Sequence, residues 1–519
     1  MTNPEALSAR ASEASPEPIS HTESAGASRE WIRNTEPATG QALPPVPVSS
    51  PDQVREAIRR ARAAQRSWAN TSFSERRRKL LALNRLILDR SEELCDVIAR
   101  ETGKPRIEAL LLEVIPAADI AFYYARRAAK VLRPEKIRLR LFPNKTSYVR
   151  YHPRGVIGSV TAWNFPLSMM VSDAVCALAS GNAVLVKPSE FTPNVALKGK
   201  ELFDATGIPA DLVQVVPGFA DTGAALYTGE NPDDRVDMVI FTGSTAVGRR
   251  IGAACGERLI PCILELGGNA AAIVCADADL ERTAHTVVYG AFANSGQVCV
   301  SVNRVFVDQR IAEKFTRKVV ELTQKVRVAE DLGAVTTPAQ LRTTEEHVAD
   351  ALRKGAKLET GGAQTAATGR FYAPTVLTNV SPDAAMMREE PFGPVLAINS
   401  FEREDEAVAR ANDTPFGLMG YVFSRSRRRA RRVADQMHAG TVIMNDVLYT
   451  YGVPETPWGG VKQSGLGRVH GDQILKDMCE ARHVNLERAH IPMPWRFPYR
   501  ESSARFFLNL ARWIYRLLP

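Results

Sequence analysis

The feature that most constrains the fold is a series of short apolar segments separated by stretches long enough to form helices. Four such segments, rich in β-branched residues, lie at 183–186, 212–216, 238–241 and 271–274. Strands of a parallel sheet that is covered on both faces have this composition, and the intervening stretches are long enough for crossover helices. The pattern therefore predicts a doubly wound α/β sheet.

Other stretches extend this prediction. A second series of apolar segments follows residue 299, at 305–307, 357–358, 395–398 and 440–444. Residues 51–133 instead carry apolar side chains at helical spacing among arginines and glutamates, which predicts amphipathic packing helices. We therefore expect an α/β protein with two doubly wound α/β domains and a set of packing helices.

Composition excludes several classes of protein. The chain has 519 residues, of which 45% are hydrophobic and 24% are charged, as in soluble globular proteins. No apolar run reaches the roughly 18 residues of a membrane-spanning helix. Residues 1–30 are rich in Ser, Ala, Pro and Glu and lack the pattern of a secretory signal, so we expect a disordered N-terminal tail and a cytoplasmic protein.

The cysteines and the net charge favour neither a metal site nor a nucleic-acid partner. Seven cysteines are scattered, with no CxxC pair and no histidine at ligand spacing, so we expect no disulfide framework and no metal. The net charge of +8 is local, since six arginines lie in 425–432 and six more follow Asn485. No aromatic residues interleave with 425–432, which favours the solvated side of a surface helix over nucleic-acid binding.

A carboxylate and a thiol stand out in the middle of the chain. Glu265 and Cys299 lie 34 positions apart, the first followed by Gly267 and Gly268 and the second preceded by Gly296. Glycine allows close backbone approach, so each side chain can be presented to a substrate. We interpret Cys299 as a nucleophile and Glu265 as a general base, although a cysteine considered alone is more often an inert, buried residue.

Two further stretches are candidates for binding a nucleotide. Gly243 and Ser244 lie between a strand and a helix, where helix amides can hold a phosphate, although a capped helix start would look the same. Lys187 and Glu190 follow a strand, where Lys can meet an anion and Glu can accept from both ribose hydroxyls. A carboxylate there would repel a 2′-phosphate, which favours NAD over NADP, but a solvated loop remains the alternative.

Asn164 is a single neutral amide within an apolar and aromatic segment, Thr161 to Pro166. A buried amide without partners costs roughly 1–3 kcal/mol, so Asn164 is expected to make hydrogen bonds. Two roles remain open at this point: a structural hydrogen-bonding residue, or a donor held for a developing oxyanion.

Seven blocks together give the chain a resemblance to the aldehyde dehydrogenase superfamily, covering about residues 31–488. In order, they are TAWNFP at Thr161, KPSE at Lys187, FTGSTAVG at Phe241, LELGGN at Leu264, GQVC at Gly296, EEPFGPV at Glu389 and PWGGVKQSGLGR at Pro457. The resemblance implies an NAD(P)-dependent enzyme of the hydrolytic type, with a Rossmann-like cofactor domain, a catalytic domain and a small β oligomerisation arm.

The resemblance also implies roles for single residues. Cys299 resembles the nucleophile that attacks the aldehyde, with the oxyanion held by its own backbone amide and by Asn164, and Glu265 resembles the base that hydrolyses the thioester. Glu390 resembles the residue that accepts from the nicotinamide ribose, and Phe392 the residue that packs near the nicotinamide. The full set of cofactor contacts implied is Trp163, Lys187, Glu190, Gly243, Ser244, Gly267, Glu390 and Phe392.

The implied domain boundaries follow from the same resemblance. They are a tail at 1–30, an NAD-binding domain at 31–264 interrupted by oligomerisation strands at 141–152, a catalytic domain at 265–475, an oligomerisation strand at 476–492 and a C-terminal extension at 493–519. A homodimer or homotetramer is expected. Two departures from the family pattern, Trp458 and the segment 469–471, are expected to lie away from the reacting atoms.

The substrate is expected to be an apolar aldehyde, aliphatic or aromatic. Residues 445–453 are the expected substrate-facing segment, and they include two tyrosines and no Lys or Arg that could pair with a carboxylate. The alternatives are an enzyme of the succinate-semialdehyde type, a CoA-acylating relative, against which the retention of Glu265 weighs, and a catalytically silent binding or structural protein on the same fold.

The C-terminal residues are expected to form a basic amphipathic helix. Arg505, Asn509, Arg512 and Arg516 fall on one helical stripe, and apolar residues fill the other faces. Three roles remain open: peripheral contact of 503–518 with the inner face of a membrane, packing on a subunit, or a lid over the substrate mouth of a neighbouring subunit.

Overall fold

The computed structural model describes residues 30–140, 142, 144–365, 368–488 and 497–516. The predicted tail at 1–30 lies outside the described residues except for Glu30. Parts of the predicted segments 141–152, 476–492 and 493–519 also lie outside them.

The strands are, in chain order, β1 Trp31–Ile32, β2 Val46–Pro47, β3 Glu135–Ile137, β4 Lys145–Pro153, β5 Val156–Val160, β6 Ala183–Lys187, β7 Val213–Val215, β8 Met238–Thr242, β9 Cys262–Glu265, β10 Ala270–Val274, β11 Val302–Asp308, β12 Lys357–Thr360, β13 Thr375–Thr378, β14 Val395–Phe401, β15 Met419–Phe423, β16 Thr441–Met444, β17 Gly465–Leu466 and β18 Cys479–Glu487.

The helices are α1 Pro51–Trp68, α2 Phe73–Asp89, α3 Ser91–Thr102, α4 Arg106–Ala109, α5 Ile115–Val131, α6 Pro166–Ser180, α7 Pro193–Ala205, α8 Ala220–Ala225, α9 Thr245–Glu257, α10 Leu280–Phe292, α11 Gln309–Thr323, α12 Pro338–Arg353, α13 Ala385–Arg388, α14 Glu404–Asn412, α15 Arg427–Ala434, α16 Gln473–Asp477 and α17 Glu501–Arg516. A π-helical turn, Leu110–Val114, joins α4 to α5.

The first large sheet has the strand order β17-β9-β8-β5-β6-β7, with every pair parallel except β17 and β9. The residues of β6 are buried throughout, as predicted for strands covered on both faces. Because the strands are parallel, Lys187, Thr242 and Glu265, at the carboxyl ends of β6, β8 and β9, lie along the same edge of the sheet.

The second large sheet has the order β12-β13-β14-β11-β10-β15-β16, with only β12 antiparallel to its neighbour among these strands. The prediction that 271–274 belongs to the first strand series is wrong, because β10 lies inside the second sheet, between β11 and β15. Only residues 266–269 separate β9 from β10. A parallel crossover within one sheet needs a dozen or more residues, so the chain passes to the other sheet instead.

A third, antiparallel sheet has the order β18-β4-β3. Strand β4 pairs with β18 along its whole length, from Lys145 opposite Glu487 to Pro153 opposite Cys479. Strands β4 and β18 overlap the predicted strand segments 141–152 and 476–492. Most residues of β18 are exposed, and among the described residues β18 is an edge strand of this sheet.

Helix α1 packs directly on β5, β6 and β7, while α2 and α5 pack on α6, whose residues are all buried. Trp68 Nε1 donates to Leu178 O at 3.0 Å and Gln65 Nε2 donates to Gly181 O at 2.9 Å, so α1 is fixed to the end of α6. The prediction of packing helices over 51–133 is confirmed.

The C-terminal helix α17 forms as expected over its described part, and residues 517 and 518 of the predicted segment lie outside the described residues. No residue of α17 is buried, and 63% of Trp513 is exposed. A search of the described residues finds no helix with the length and hydropathy that a bilayer crossing requires.

Candidate active site

Cys299 follows a tight turn in which three consecutive residues have left-handed backbone angles. The φ angles are 51° at Asn294, 56° at Ser295 and 70° at Gly296. A Cβ on Gly296 would lie 2.0 Å from Gly393 O, so only glycine fits there. Positive φ is uncommon for non-glycine residues and is retained where the surroundings hold it in place.

The surroundings of this turn supply that support. Ser295 Oγ donates to Gly333 O at 2.7 Å, and Gln297 Nε2 donates to Asn294 O at 3.0 Å. Gln297 Oε1 in turn accepts from the backbone amide of Thr336 at 2.8 Å. The segment that carries Cys299 is therefore fixed by hydrogen bonds to a separate part of the chain.

Glu265 lies at the carboxyl end of β9 and is 5% exposed. Neither carboxyl oxygen has a hydrogen-bond partner among the described residues. Burial raises the pKa of Glu265 well above its usual value, and the Arg468 guanidinium opposes this rise. A buried carboxyl without partners is costly, so its position here favours a chemical role over a structural one.

Asn164 lies in the loop between β5 and α6 and is 3% exposed. Its Nδ2 donates to Gln297 O at 3.0 Å, while its Oδ1 has no hydrogen-bond partner among the described residues. Gln297 is two residues before Cys299, so this hydrogen bond brings the Asn164 side chain to the Cys299 segment. The second hydrogen on Nδ2 remains available to another acceptor.

Cys299 and Glu265 line the same cavity, which has a volume of about 490 Å³. Its lining is mostly apolar and includes three acidic residues but no Lys or Arg among the described residues. The lining residues are Leu111, Leu112, Ile115, Pro116, Asp119, Phe165, Met169, Asp173, Thr242, Glu265, Leu266, Tyr289, Val298, Cys299, Val300, Val447, Leu448, Tyr449, Tyr451, Gly452, Trp458 and Val469. The predicted substrate-facing segment therefore does line this cavity.

The expectation that Trp458 and residues 469–471 lie away from the reacting atoms was wrong for Trp458 and Val469, which line the cavity with Glu265. The reason is that β17 pairs with β9. Gly465 lies opposite Glu265, so the loop around β17 lies next to the Glu265 side of the cavity. His470 is buried behind the cavity wall, its Nε2 lies 3.0 Å from Ser172 Oγ, and burial lowers its pKa to about 4, so this ring is neutral at pH 7.

The predicted ribose and phosphate contacts lie at the edge of the first sheet. Lys187 Nζ is 3.5 Å from Glu190 Oε2, and burial lowers the pKa of Lys187. Ser244 caps α9 by accepting from the backbone amide of Val247 at 3.4 Å. The exposed α9 start and the Lys187–Glu190 pair are thus both at the end of the sheet where ligands of α/β proteins bind.

The remaining predicted cofactor contacts lie on the Cys299 side. Glu390 Oε1 accepts from Gly268 N at 3.0 Å, and burial raises the pKa of Glu390 to about 8. A Cβ on Gly267 would lie 2.5 Å from Glu390 Oε2, so this approach requires glycine. The rings of Trp163 and Phe392 meet edge to face at 5.3 Å.

The Cys299 thiol is surrounded by acidic groups. Burial raises its pKa, and the nearby Glu390 and Glu265 carboxyls raise it further, against the opposing effect of the backbone amides of Cys299 and Val300. The free enzyme therefore holds Cys299 as a neutral thiol at pH 7. Within the described residues, no group of three His, Cys, Asp or Glu side chains is placed to hold a metal ion.

One wall of the cavity was missed by sequence reasoning. Five residues of the segment 111–119 line it together with Asp173: Leu111, Leu112, Ile115, Pro116 and Asp119. Helical periodicity, however, assigned this region to packing. The available signal was the run of three leucines at 110–112. Consecutive helix residues point to different sides of the helix, whereas packing on a core needs apolar residues on one stripe only. The π-helical turn there directs Leu111 and Leu112 to the cavity, and periodicity does not predict such a turn.

Comparisons with known proteins agree with this geometry. The aldehyde dehydrogenase family model matches residues 22–484. A putative succinate-semialdehyde dehydrogenase [NADP(+)] of Mycolicibacterium smegmatis is 39% identical over 464 residues, covering 86% of this chain and 88% of the relative. A 4,4'-diapolycopene aldehyde oxidase of a Methylomonas species is 36% identical over 491 residues, covering 93% and 91%.

Solved structures show the same fold. An NAD-dependent aldehyde dehydrogenase from Sinorhizobium meliloti superposes with a TM-score of 0.85 at 35% identity, covering 89% of this chain and 92% of that one. The NAD+ complex of an aldehyde dehydrogenase from Bacillus cereus has a TM-score of 0.84 at 32% identity, covering 88% and 93%. The chain therefore belongs to the aldehyde dehydrogenase family.

Proposed function

We propose that this enzyme oxidises apolar aldehydes to carboxylic acids, with Cys299 as nucleophile and Glu265 as general base. One observation carries the proposal. A single cavity presents both residues to a substrate, and the rest of its described lining is mostly apolar and contains no cation. In domain terms, residues 31–264 would bind the cofactor and residues 265–475 would carry the chemistry.

In the first step, the Cys299 thiol gives up its proton to solvent water and the sulfur attacks the aldehyde carbon. A carbon–sulfur bond forms and the carbonyl oxygen takes a negative charge. We assign the stabilisation of this oxyanion to the backbone amide of Cys299 and to the Asn164 side chain, whose Nδ2 has one hydrogen bonded to Gln297 O.

When bound, NAD would supply the two-electron acceptor for the hydride that leaves the substrate carbon as the oxyanion collapses. Oxidation of that carbon leaves a thioester on Cys299. Glu265 then removes a proton from water, whose oxygen attacks the thioester carbon. The carbon–sulfur bond breaks, the acid is released, and the departing Cys299 sulfur takes the proton from Glu265, which restores the thiol and the carboxylate. The raised pKa of Glu265 and its lack of hydrogen-bond partners among the described residues suit it to accept this proton.

The residues present fit a nicotinamide dinucleotide. Lys187 is a buried ammonium whose carboxylate partner is 3.5 Å away, and Glu390 Oε2 faces the space that a Gly267 side chain would fill. We assign Lys187 and Glu190 to the adenosine ribose, and Glu390 to the nicotinamide ribose.

The other assigned cofactor contacts are Gly243 and Ser244, at the pyrophosphate, and Trp163 and Phe392, near the nicotinamide. The Glu190 side chain is 38% exposed at the sheet edge, where its charge would repel a 2′-phosphate. We therefore propose NAD over NADP.

The enzyme should prefer uncharged aldehydes over aldehydes that carry a carboxylate. Succinate semialdehyde has a carboxylate where butanal has a methyl group. In the cavity this carboxylate would lose its water beside Asp119, Asp173 and Glu265, and the described lining residues include no cation to pair with it. We expect kcat/KM for butanal to exceed that for succinate semialdehyde by about tenfold or more, and hexanal, decanal and benzaldehyde to be oxidised at least as well as butanal.

The measurement is initial-rate NADH formation across this panel with one enzyme preparation. A higher kcat/KM for succinate semialdehyde would contradict the apolar assignment and favour the activity named for the Mycolicibacterium smegmatis relative. Acid formation without CoA in the same assays excludes the CoA-acylating alternative. No turnover on any aldehyde would favour a catalytically silent protein.

We also propose that the enzyme is a homodimer or homotetramer and acts in the cytoplasm, at the inner face of a membrane. Strands β4 and β18 are the proposed oligomerisation arm. The membrane proposal rests on α17, in which Phe506 and Trp513 are 58% and 63% exposed and Arg505, Arg512 and Arg516 form a basic stripe. Helix α17 also contacts the rest of the chain, since the Tyr515 hydroxyl accepts a hydrogen bond from Arg140 Nη2 at 3.3 Å.

Flotation with vesicles tests the membrane contact. The full chain should float with vesicles of mixed phosphatidylglycerol and phosphatidylcholine, and a variant truncated after Glu501 should remain at the bottom of the gradient. A variant with Arg505→Glu and Arg512→Glu keeps the apolar residues and should lose most of the flotation, since the anionic lipid attracts the arginines. Equal flotation of the full and truncated chains would remove the membrane proposal and favour subunit packing or a lid.

A further inference from the structure

A buried ion pair lies directly behind Asn164, outside the cavity. Lys104 Nζ is 2.6 Å from Glu113 Oε1, and neither side chain has any exposed surface. The same ammonium donates to Asn164 O at 2.7 Å. It also lies 4.4 Å from the centre of the Phe165 ring. The pair therefore contacts the backbone of the residue that we assign to the oxyanion.

The other half of the pair holds the start of the next helix. Glu113 Oε2 accepts from the backbone amides of Leu167 at 2.8 Å and Ser168 at 3.4 Å. The first amides of a helix have no partner within the helix, and Phe165, at the N-cap of α6, makes no side-chain cap hydrogen bond. Glu113 thus replaces the missing cap and fixes the chain immediately after Asn164.

Glu113 belongs to the π-helical turn Leu110–Val114. Leu111 and Leu112 of this turn line the substrate cavity, while Glu113 is fully buried on the Asn164 side. Such turns insert one residue into a helix and are frequent at functional sites. One turn therefore forms part of the substrate wall and also anchors the Asn164 loop.

Other contacts complete the frame around Asn164. Asn294 Nδ2 donates to Asn164 O at 3.2 Å, and Asn164 Nδ2 donates to Gln297 O. The carbonyl is thus held by Lys104 and Asn294, and the side chain by the segment that carries Cys299. Two buried charges are expensive to desolvate, and replacing such a pair with apolar residues is often neutral or favourable for stability, so stability alone explains this pair poorly.

We infer that Lys104 and Glu113 are positioning residues for the reaction, which fix the backbone on both sides of Asn164 and thereby aim its amide at the oxyanion. They touch neither the substrate nor the thiol in this arrangement and act through Asn164. The inference rests on the proposed role of Asn164 in the first half-reaction.

A double-mutant cycle tests the inference through the rate of the first turnover, measured as NADH formation after rapid mixing with decanal at saturating NAD. Asn164→Ala should slow this step by about 10²–10³-fold, as loss of an oxyanion donor does. Glu113→Gln keeps the shape of the side chain and removes its charge, and should slow the step by about tenfold through misplacement of Asn164. In the Asn164→Ala background, Glu113→Gln should add less than about a twofold further loss, because its effect passes through Asn164.

A matched control separates positioning from a general defect. Glu101 is a buried carboxyl that accepts from the backbone amides of Asn194 and Val195 at the start of α7, as Glu113 does at α6. Glu101→Gln should leave the first turnover near the wild-type rate. If Glu113→Gln fails to fold, the variant Lys104→Met with Glu113→Leu removes both charges together. This variant then takes the place of Glu113→Gln in the double-mutant cycle with Asn164→Ala.

The outcomes are distinguishable. A normal first turnover in Asn164→Ala would contradict the proposed role of Asn164 itself. A large loss in Asn164→Ala, with losses that multiply in the combined variant, would overturn the positioning inference and leave the proposed function intact. A loss in Glu101→Gln as large as in Glu113→Gln would also overturn the inference.

Discussion

Cys299→Ala should abolish aldehyde oxidation, with turnover falling on the order of 10⁴-fold or more. Without the sulfur, no carbon–sulfur bond forms, and neither the oxidation nor the hydrolysis has its covalent intermediate. Glu265 and Asn164 remain in place but have no adduct on which to act. The measurement is steady-state NADH formation with decanal at saturating NAD.

The variant should keep its fold and its affinity for the cofactor. Cys299 lines an existing cavity, so removal of one sulfur atom enlarges that cavity and costs about 1 kcal/mol of stability or less. Thermal unfolding and quenching of protein fluorescence by NADH check both properties. Cys262→Ala, which removes another partly exposed thiol at the start of β9, is the matched control and should retain activity. Retention of more than a small residual activity in folded Cys299→Ala would contradict the nucleophile assignment.

Glu265→Gln should separate the two halves of the reaction. Glutamine keeps the size of the side chain but cannot accept a proton from water, so the thioester should accumulate. We expect a rapid burst of NADH close to one equivalent per active site. A steady-state rate lower than that of the wild type by roughly 10²–10⁴-fold should follow.

This result depends on where Glu265 lies. Its carboxyl has no hydrogen-bond partner among the described residues and is not needed to hold Asn164 or the Cys299 turn, so the first half-reaction should survive. The wild type and Cys299→Ala, which should give no burst, provide the two reference traces. Absence of a burst in Glu265→Gln would mean that this carboxyl also takes part in the first half-reaction, for example by accepting the thiol proton.

The strands of both large sheets were largely predictable, because buried parallel strands are short, apolar and β-branched. The apolar pattern could not show which of the two sheets a strand belongs to, as the segment 271–274 illustrates. The residues 266–269 that precede β10 are too few for a crossover, and this length decides the sheet where hydrophobicity does not. Strands β9, β13, β15 and β17 were not predicted, and β9 has only four residues, the last of which is the charged Glu265.

The site was predictable where a residue's chemistry is visible in its own segment. Cys299, Glu265 and Asn164 were each identified among glycines or apolar neighbours, and the structure places Cys299 and Glu265 on one cavity, with Asn164 hydrogen-bonded to the Cys299 segment. The cavity wall was not predictable in the same way. Trp458 reaches it only because the β17–β9 pairing folds a distant loop back onto Glu265.

Lys104 and Glu113 show the limit of sequence reasoning most plainly. In the sequence they are ordinary charges among helices rich in Arg and Glu, where exposed charges are the rule. Only the three-dimensional arrangement shows that both are fully buried and bonded to the chain around Asn164. Long-range pairing of this kind leaves no local signature, because its partners are scattered along the chain.

The most direct test of the account is the mass of the peptide that carries Cys299 after Glu265→Gln has reacted with decanal and NAD. The expected result is a decanoyl group on Cys299, in an amount that matches the NADH burst, and no such group when NAD is omitted. NADH formation without an acyl group on this peptide, or with the acyl group on another cysteine, would contradict the account.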